Sequence, residues 1–464
     1  MLQARYYTPN TPEEKKRIQG YLYYESLYLG ENQTAFSFKK GLKSDSAYLL
    51  NNWTRLLSEF FSDLLFSEAP EFTSDTNQDE LDAFIKDNKL HMLNMQSSIS
   101  NAYRGDAIYK VWRDEDGDSH VQEIPPMMYF PNYKNNMIDD LESITLAWIV
   151  SVGDKKYVQK EVHYKDRIEN QLYLLVDENN SKGQYSGTKE IRVNFNAIDS
   201  KLPEYYENPV GDFLVTHIPN YSISNRAFGI SDIQSLDSLM AESDYRMSQL
   251  ANILDKHADP KLAVPPGVLD KNGRIASGSL EMFQVSANTS GLNKPEYITW
   301  DAQLEYVFKE IDLITERIAL FGRMPVGLMK QGSEGYSAPE AAKALKLKFL
   351  MSLKKAARKQ MYYDIGLKKV FELAGKLSDN DWSNVYIKWN DGLPEDRLEE
   401  IQIIQAEKAT GIKSAEQAAR DHMHKKGMDE VAIEDEISRI KQEQDASGAG
   451  LPSSKPVVDL PAKA

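Results

Sequence analysis

Two amphipathic stretches, residues 231–258 and 302–321, bracket an insert rich in proline and glycine. The first reads as a helix with Ser231 as N-cap and Asp259-Pro260 as its stop, because the residue before a proline is driven out of the α region. Its apolar residues Ile233, Leu236, Met240, Met247, Leu250 and Leu254 recur at helical spacing. The second is more regular. Leu304, Val307, Ile311, Ile314, Ile318 and Phe321 alternate steps of three and four, which lays one seam along a helix for packing on a neighbour. Taken alone, the pair describes an antiparallel helix hairpin in an ordinary core. The insert, 259–300, carries strand-like runs that begin at Lys261, Met282 and Glu296, so a small α/β module fits it better than a structureless loop.

The flanking sequence supplies the other parts. Thr11-Pro12 opens a helical region that reaches Phe66, with an apolar segment over Ala47–Phe66, and a further helix is expected over 79–103. From Arg104 to Phe213 the period changes to two. Residues 107–112 and 120–124 flank an acidic turn and read as a β-hairpin; strands are expected at 144–152, 157–164, 171–176 and 190–195. After Phe321 a Gly-rich stretch leads to Ser337-Ala338-Pro339-Glu340, the start of a long helix that runs to about Leu377. Between Ala341 and Tyr363 that helix holds Lys343, Lys346, Lys348, Lys354, Lys355, Arg358 and Lys359 and no acid. A strand at 384–389, acidic helices over 395–443 and a Ser/Gly/Pro/Ala-rich tail complete the chain.

Composition removes several classes of function. The absence of cysteine excludes disulfides, thiolate metal sites and cysteine nucleophiles. A net charge of −15 argues against a surface that grips nucleic acid everywhere, although a local basic patch fits. No apolar run approaches the roughly 20 residues of a membrane span. The N-terminus lacks the charged-then-apolar pattern of a signal peptide, so assembly inside a cell is expected. None of the seven histidines forms a zinc motif, and the Gly327–Ser333 spacing lacks the lysine of a phosphate-binding loop. No cofactor is expected. Asp114, Asp116 and Asp118 keep one enzymatic alternative open, a metal-dependent DNA-processing nuclease, against the simpler reading as a solvated hairpin tip.

The order of parts resembles the portal, or head-to-tail connector, proteins of tailed bacteriophages, in particular siphophages of Gram-positive hosts. Phe228-Gly229-Ile230-Ser231-Asp232-Ile233 resembles the family's lead-in to the first stem helix, and Asp259-Pro260-Lys261-Leu262 its exit into the clip. Ser337-Ala338-Pro339-Glu340-Ala341 with Ala344-Leu345-Lys346 is similar to the family's long-helix start, with Ala338 where glycine is usual.

The resemblance implies an α+β, mainly helical portal fold assembled as a ring of about twelve subunits. It implies a wing over 1–225 with 365–394 returning to it, stem helices in 226–258 and 301–323, and a clip over 259–300. A tunnel loop over 324–337, a long basic helix over 338–364, a helical crown over 395–445 and a disordered tail over 446–464 complete the assignment. The stem would pack through Leu304, Val307, Ile311, Ile314, Ile318 and Phe321. The loop residues Leu328, Met329, Lys330 and Gln331 would project into a channel for double-stranded DNA. Lys343, Lys346 and Lys348 would either face DNA phosphates or pair with acids of neighbouring subunits. The implied partners are the terminase large subunit, a head-completion or adaptor protein, and the major capsid and scaffold proteins. The implied place is the capsid vertex of a virion assembled in the host cytoplasm, with no membrane partner and no enzymatic activity.

Overall fold

The computed structural model describes residues 6–9, 11–36, 48–136, 138, 140–179, 185–198, 202–258, 261–264, 282–284, 296–298, 304–325, 347–390, 404–407, 409–411, 414–425 and 430–446. They mix helix and sheet and fall into two compact units. One lies within Met1–Ala338 and Lys346–Leu393, the other within Pro339–Leu345 and Pro394–Ala464. Among the described residues no helix is long and apolar enough to cross a membrane.

In the first unit α1 (Pro12–Tyr28) opens with proline and two glutamates in its first turn, where a missing N–H costs nothing and negative charge meets the helix dipole. Helix α2 (Trp53–Phe66) starts later than the apolar pattern from Ala47 implies. Asn52 caps it by accepting from the Arg55 N–H at 3.0 Å. The chain just before it is held by other partners: the Leu49 N–H donates to Ser248 Oγ and the Asn51 N–H to Asp244 Oδ1. The single helix expected over 79–103 is two, α3 (Gln78–Asp87) and α4 (Leu90–Arg104). The break is at Asn88-Lys89. Asn88 donates to the Phe84 carbonyl and accepts from the Val121 N–H, while Lys89 takes the left-handed φ of 49°.

Strand β1 (Glu71–Thr73) precedes α3. Strands β2 (Asp106–Arg113) and β3 (Ser119–Ile124) form the expected hairpin, with Trp112 opposite His120 and Ile108 opposite Ile124. Strands β4 (Tyr129–Tyr133), β5 (Leu141–Val152), β6 (Lys155–His163), β7 (Arg167–Asn179) and β8 (Tyr185–Val193) form one antiparallel sheet in that order, and β9 (Tyr205–Glu207) pairs with β7. Strand β10 (Val215–Pro219) adds to the free edge of β2. Periodicity did not single out β1, β4, β9 or β10, which are short and owe their state to partner strands.

Helix α5 (Asp237–Ala258) begins after Ser231, not at it. Residues 231–236 make turns because their groups are bonded elsewhere: the Asp232 N–H donates to the Ala102 carbonyl, and Ser231 Oγ accepts from the Ile233 N–H. In the insert, β11 (Lys261–Val264) lies between β12 (Met282–Gln284), parallel to it, and β13 (Glu296–Ile298), antiparallel to it. Helix α6 (Leu304–Gly322) returns as expected and packs on α5. Helix α7 (Leu350–Leu377) buries Tyr363, Leu367, Val370, Phe371 and Leu373 against the β2–β10 region, and β14 (Tyr386–Lys388) pairs with β1. Each such fully buried apolar side chain contributes about 1.5–3 kcal/mol.

In the second unit α8 (Ala415–Lys425) and α9 (Glu430–Ala446) pack through Ala418, Ile433 and Ile437. Lys441 reaches Glu416 at 3.0 Å and Arg420 reaches Glu434 at 3.3 Å across that pair. The tail expected over 446–464 lies outside the described residues, apart from Ala446 at the end of α9.

Candidate functional site

The turn 226–236, the lead-in to α5, is wedged between the end of α4, strands β2 and β10, and α7. Two buried carboxylates fix it. On the strand side Gly105 ends α4 with φ 105°, and its carbonyl accepts from the Asn220 N–H at 2.8 Å. Gly229 passes so close that a Cβ there would lie 2.1 Å from the Gly105 oxygen, so only glycine fits. Asp106 accepts from the Gly229 N–H at 2.7 Å and Tyr21 Oη at 2.6 Å, and meets His217 Nε2 at 2.7 Å. Burial pushes its pKa up, but the hydrogen bond and charge of His217, then Tyr21 and the Gly229 N–H, outweigh that and hold it below the ordinary value.

On the helix side the carboxylate is Asp232. Lys359 Nζ donates to its Oδ2 at 2.6 Å and Lys355 Nζ lies 3.1 Å from its Oδ1. Lys359 also donates to Asn220 Oδ1, and Asn220 Nδ2 donates to the Ile230 carbonyl and to Asp232 Oδ1. Burial raises the Asp232 pKa, yet the two ammoniums bring it down to about 2. Lys355 responds oppositely. Burial is the largest influence, Asp232 opposes it, and the like charge of Lys359 adds to it, leaving Lys355 at about 8. The Lys355 ammonium also sits 3.9 Å above the Phe61 ring and reaches the Gly322 carbonyl at 3.4 Å, tying α7 to α2 and to the end of α6.

A cleft of about 250 Å³ opens beside Asp232, between the turn, the end of α6 and α7. Arg323, Lys355, Arg358 and Lys359 line it. Arg358 lies 5.3 Å over the Tyr221 ring, and among the described residues neither Arg358 nor Arg323 has a carboxylate partner. The cleft therefore carries four cations against one carboxylate.

The residues expected from sequence are distributed unevenly. Leu328, Met329, Lys330, Gln331, Lys343 and Lys346 lie outside the described residues, as does most of the clip expected over 259–300 and of the tunnel loop expected over 324–337. Lys348 is exposed just before α7. Leu304 opens α6, and Val307 and Ile311 are half-buried. Ile314 and Ile318 are buried within the same chain, in a cluster with Leu57, Phe61, Leu236 and Met240. Phe321, at the end of the seam, is 63% exposed and stands at the mouth of the cationic cleft. Asp114 is committed to the hairpin turn, accepting from the Asp118 N–H and meeting His120 Nε2, both at 2.8 Å. Among the described residues no group of three or more His, Cys, Asp or Glu could hold a metal ion.

Sequence reasoning missed Asp106, His217 and Asn220 and did not assign Asp232 to its lysines. The acid-free run in the long helix was the available signal for Lys355 and Lys359, because such segregation implies a carboxylate from elsewhere.

The family model described as "Phage portal protein, SPP1 Gp6-like" matches residues 6–449, nearly the whole chain. The chain belongs to this family of phage portal proteins, and is a portal protein and a component of the phage particle. A solved structure described as "Neck of native GTA particle computed with C12 symmetry" is similar over 79% of this chain and 87% of its own, at 12% identity and a TM-score of 0.38. No curated protein matches the chain.

Proposed function

We propose that about twelve copies of this chain close into a ring at one capsid vertex, forming the channel through which double-stranded DNA is packaged and ejected. The family match across residues 6–449 carries this reading. In it, 1–225 with 365–394 form the wing, 226–258 and 301–323 the stem, 259–300 the clip, 324–337 the tunnel loop and 395–445 the crown. The clip engages the terminase and later a head-completion protein, the wing and crown face capsid and packaged DNA, and the major capsid and scaffold proteins are partners of the ring. The ring assembles in the host cytoplasm.

Several features support the assignment. Helix α6 exposes Tyr306, Leu313 and Leu320, which recur every two turns on one face, and α7 exposes Met361 and Ile365. A ring closes through two different patches on each subunit, and two separate apolar stripes on one unit suit that geometry. The loop Leu328–Gln331 and the lysines Lys343, Lys346 and Lys348 are proposed to meet passing DNA, held loosely because a chain of net charge −15 would not grip it along its length.

The test is negative-stain electron microscopy with solution mass. Rings with a central channel are expected, on the order of 600 kDa for about twelve chains of 52.8 kDa. A monomer at every concentration and salt would overturn the assignment. The protein is proposed to lack catalysis of its own; plasmid DNA incubated with it and manganese should remain intact.

A further inference from the structure

We propose that the cleft beside Asp232 is a binding site for one phosphate-type oxoanion, either inorganic phosphate or a single phosphodiester of nucleic acid. Three observations carry it. First, Arg323, Lys355, Arg358 and Lys359 converge on one cleft that contains a single carboxylate, within a chain of net charge −15. Close cations repel one another, and an anion among them relieves that repulsion. Second, the cations are pre-positioned. Lys355 and Lys359 are clamped by Asp232 at 3.1 and 2.6 Å, and Arg358 is laid over Tyr221. Little side-chain entropy is lost when a ligand arrives. Third, two of the four cations are guanidiniums without a carboxylate among the described residues, and a guanidinium fork matches the spacing of phosphate oxygens. At about 250 Å³ the cleft admits an oxoanion together with some of its hydration, a water occupying about 30 Å³ of liquid.

The ligand touches the two arginines from the open side, while the lysines supply field from beneath. The site belongs to the single chain and does not depend on the ring described above. A carboxylate from a second copy is the rival occupant. It is the weaker fit, because a carboxylate presents its two oxygens in one plane, whereas the tetrahedral oxygens of a phosphate or phosphodiester meet cations converging from several directions.

The test uses the full-length chain. Melting temperature and titration calorimetry are followed against sodium phosphate, with sodium chloride at matched ionic strength as reference. Phosphate should stabilise saturably. Arg358→Gln and Arg323→Gln should each weaken the apparent affinity about tenfold, the loss of one hydrogen bond to a charged group, and Lys354→Gln, an exposed lysine on the same helix, should leave it unchanged. Arg358 is exposed, so its replacement is tolerated by the fold, and circular dichroism confirms this. A short DNA duplex titrated in parallel separates the two sources. Binding that weakens in Arg358→Gln assigns a phosphodiester, and binding that does not, beside a phosphate response that does, assigns the free anion.

Three results would overturn the proposal: no saturable phosphate effect, an equal loss in Lys354→Gln, or a phosphate effect confined to dissociated chains and absent from assembled rings. The last would show that a carboxylate of a second copy fills the cleft.

Discussion

The two faces of the turn 226–236 solve the same problem differently. Each buries an aspartate. On the Asp106 face two cations are matched: Arg17 takes Glu14 and the carbonyls of Pro126 and Tyr129, and Arg104 takes Glu25 at 2.9 Å. Asp106 itself is held by a phenol, an imidazole and a backbone N–H. On the Asp232 face two ammoniums share one carboxylate and two guanidiniums stand without one among the described residues. The first face is built to hold a backbone in place. The second holds surplus positive charge between the turn, the end of α6 and α7, and such surplus costs stability unless something outside the described fold offsets it.

The largest expected difference between the faces comes from Asp232→Asn. It strands two buried ammoniums and should cost about 3–5 kcal/mol in denaturant unfolding, with much of the loss recovered in Asp232→Asn/Lys359→Met. A cost below about 1 kcal/mol would mean that the lysines reach water readily and that the faces do not differ as described. Gly229→Ala attacks the opposite face through sterics. With a Cβ 2.1 Å from the Gly105 oxygen, the backbone must move, at about 3 kcal/mol. An unperturbed melting temperature would show that the contact is slack.

Asp106→Asn should cost less, about 1–3 kcal/mol, since it removes hydrogen bonds without leaving buried charges of like sign together. Equal losses for Asp106→Asn and Asp232→Asn would erase the distinction between the faces.

Titration distinguishes them more finely. Asp232 sits at about 2 in the fold against an ordinary 3.8, so the unfolded state binds the extra proton. Its contribution is complete above about pH 4 and is lost as pH falls through about 2. Lys355 sits at about 8 against 10.5, so the unfolded state also binds more protons between those values, and this group makes stability rise with pH across that window. The difference between wild type and Lys355→Met, measured by denaturant titration from pH 7 to 10.5, should show that rise; identical profiles would refute the burial of Lys355. The smallest effect serves as baseline. Arg55→Ala breaks an exposed pair with Glu59 remote from either face and should change stability by less than about 0.5 kcal/mol.

The sequence by itself determined the elements whose signal is local. The three-and-four spacing from Leu304 to Phe321 set α6, the alternation on either side of Asp114–Asp118 set the β2–β3 hairpin, and the acid-free run set the long helix apart within an acidic chain. Period and turn chemistry act over a few residues, so they can be read without the fold. Tertiary structure alone decided which polar groups meet. Lys359 finds Asp232 across 127 positions, and Asp106 finds Tyr21, His217 and Gly229 across 85, 111 and 123. It also decided that Ser231 begins a turn and not a helix, because the Asp232 N–H finds the Ala102 carbonyl. A buried charge leaves no periodic trace in a sequence: its cost is fixed by whichever distant donor the packing brings within hydrogen-bond reach.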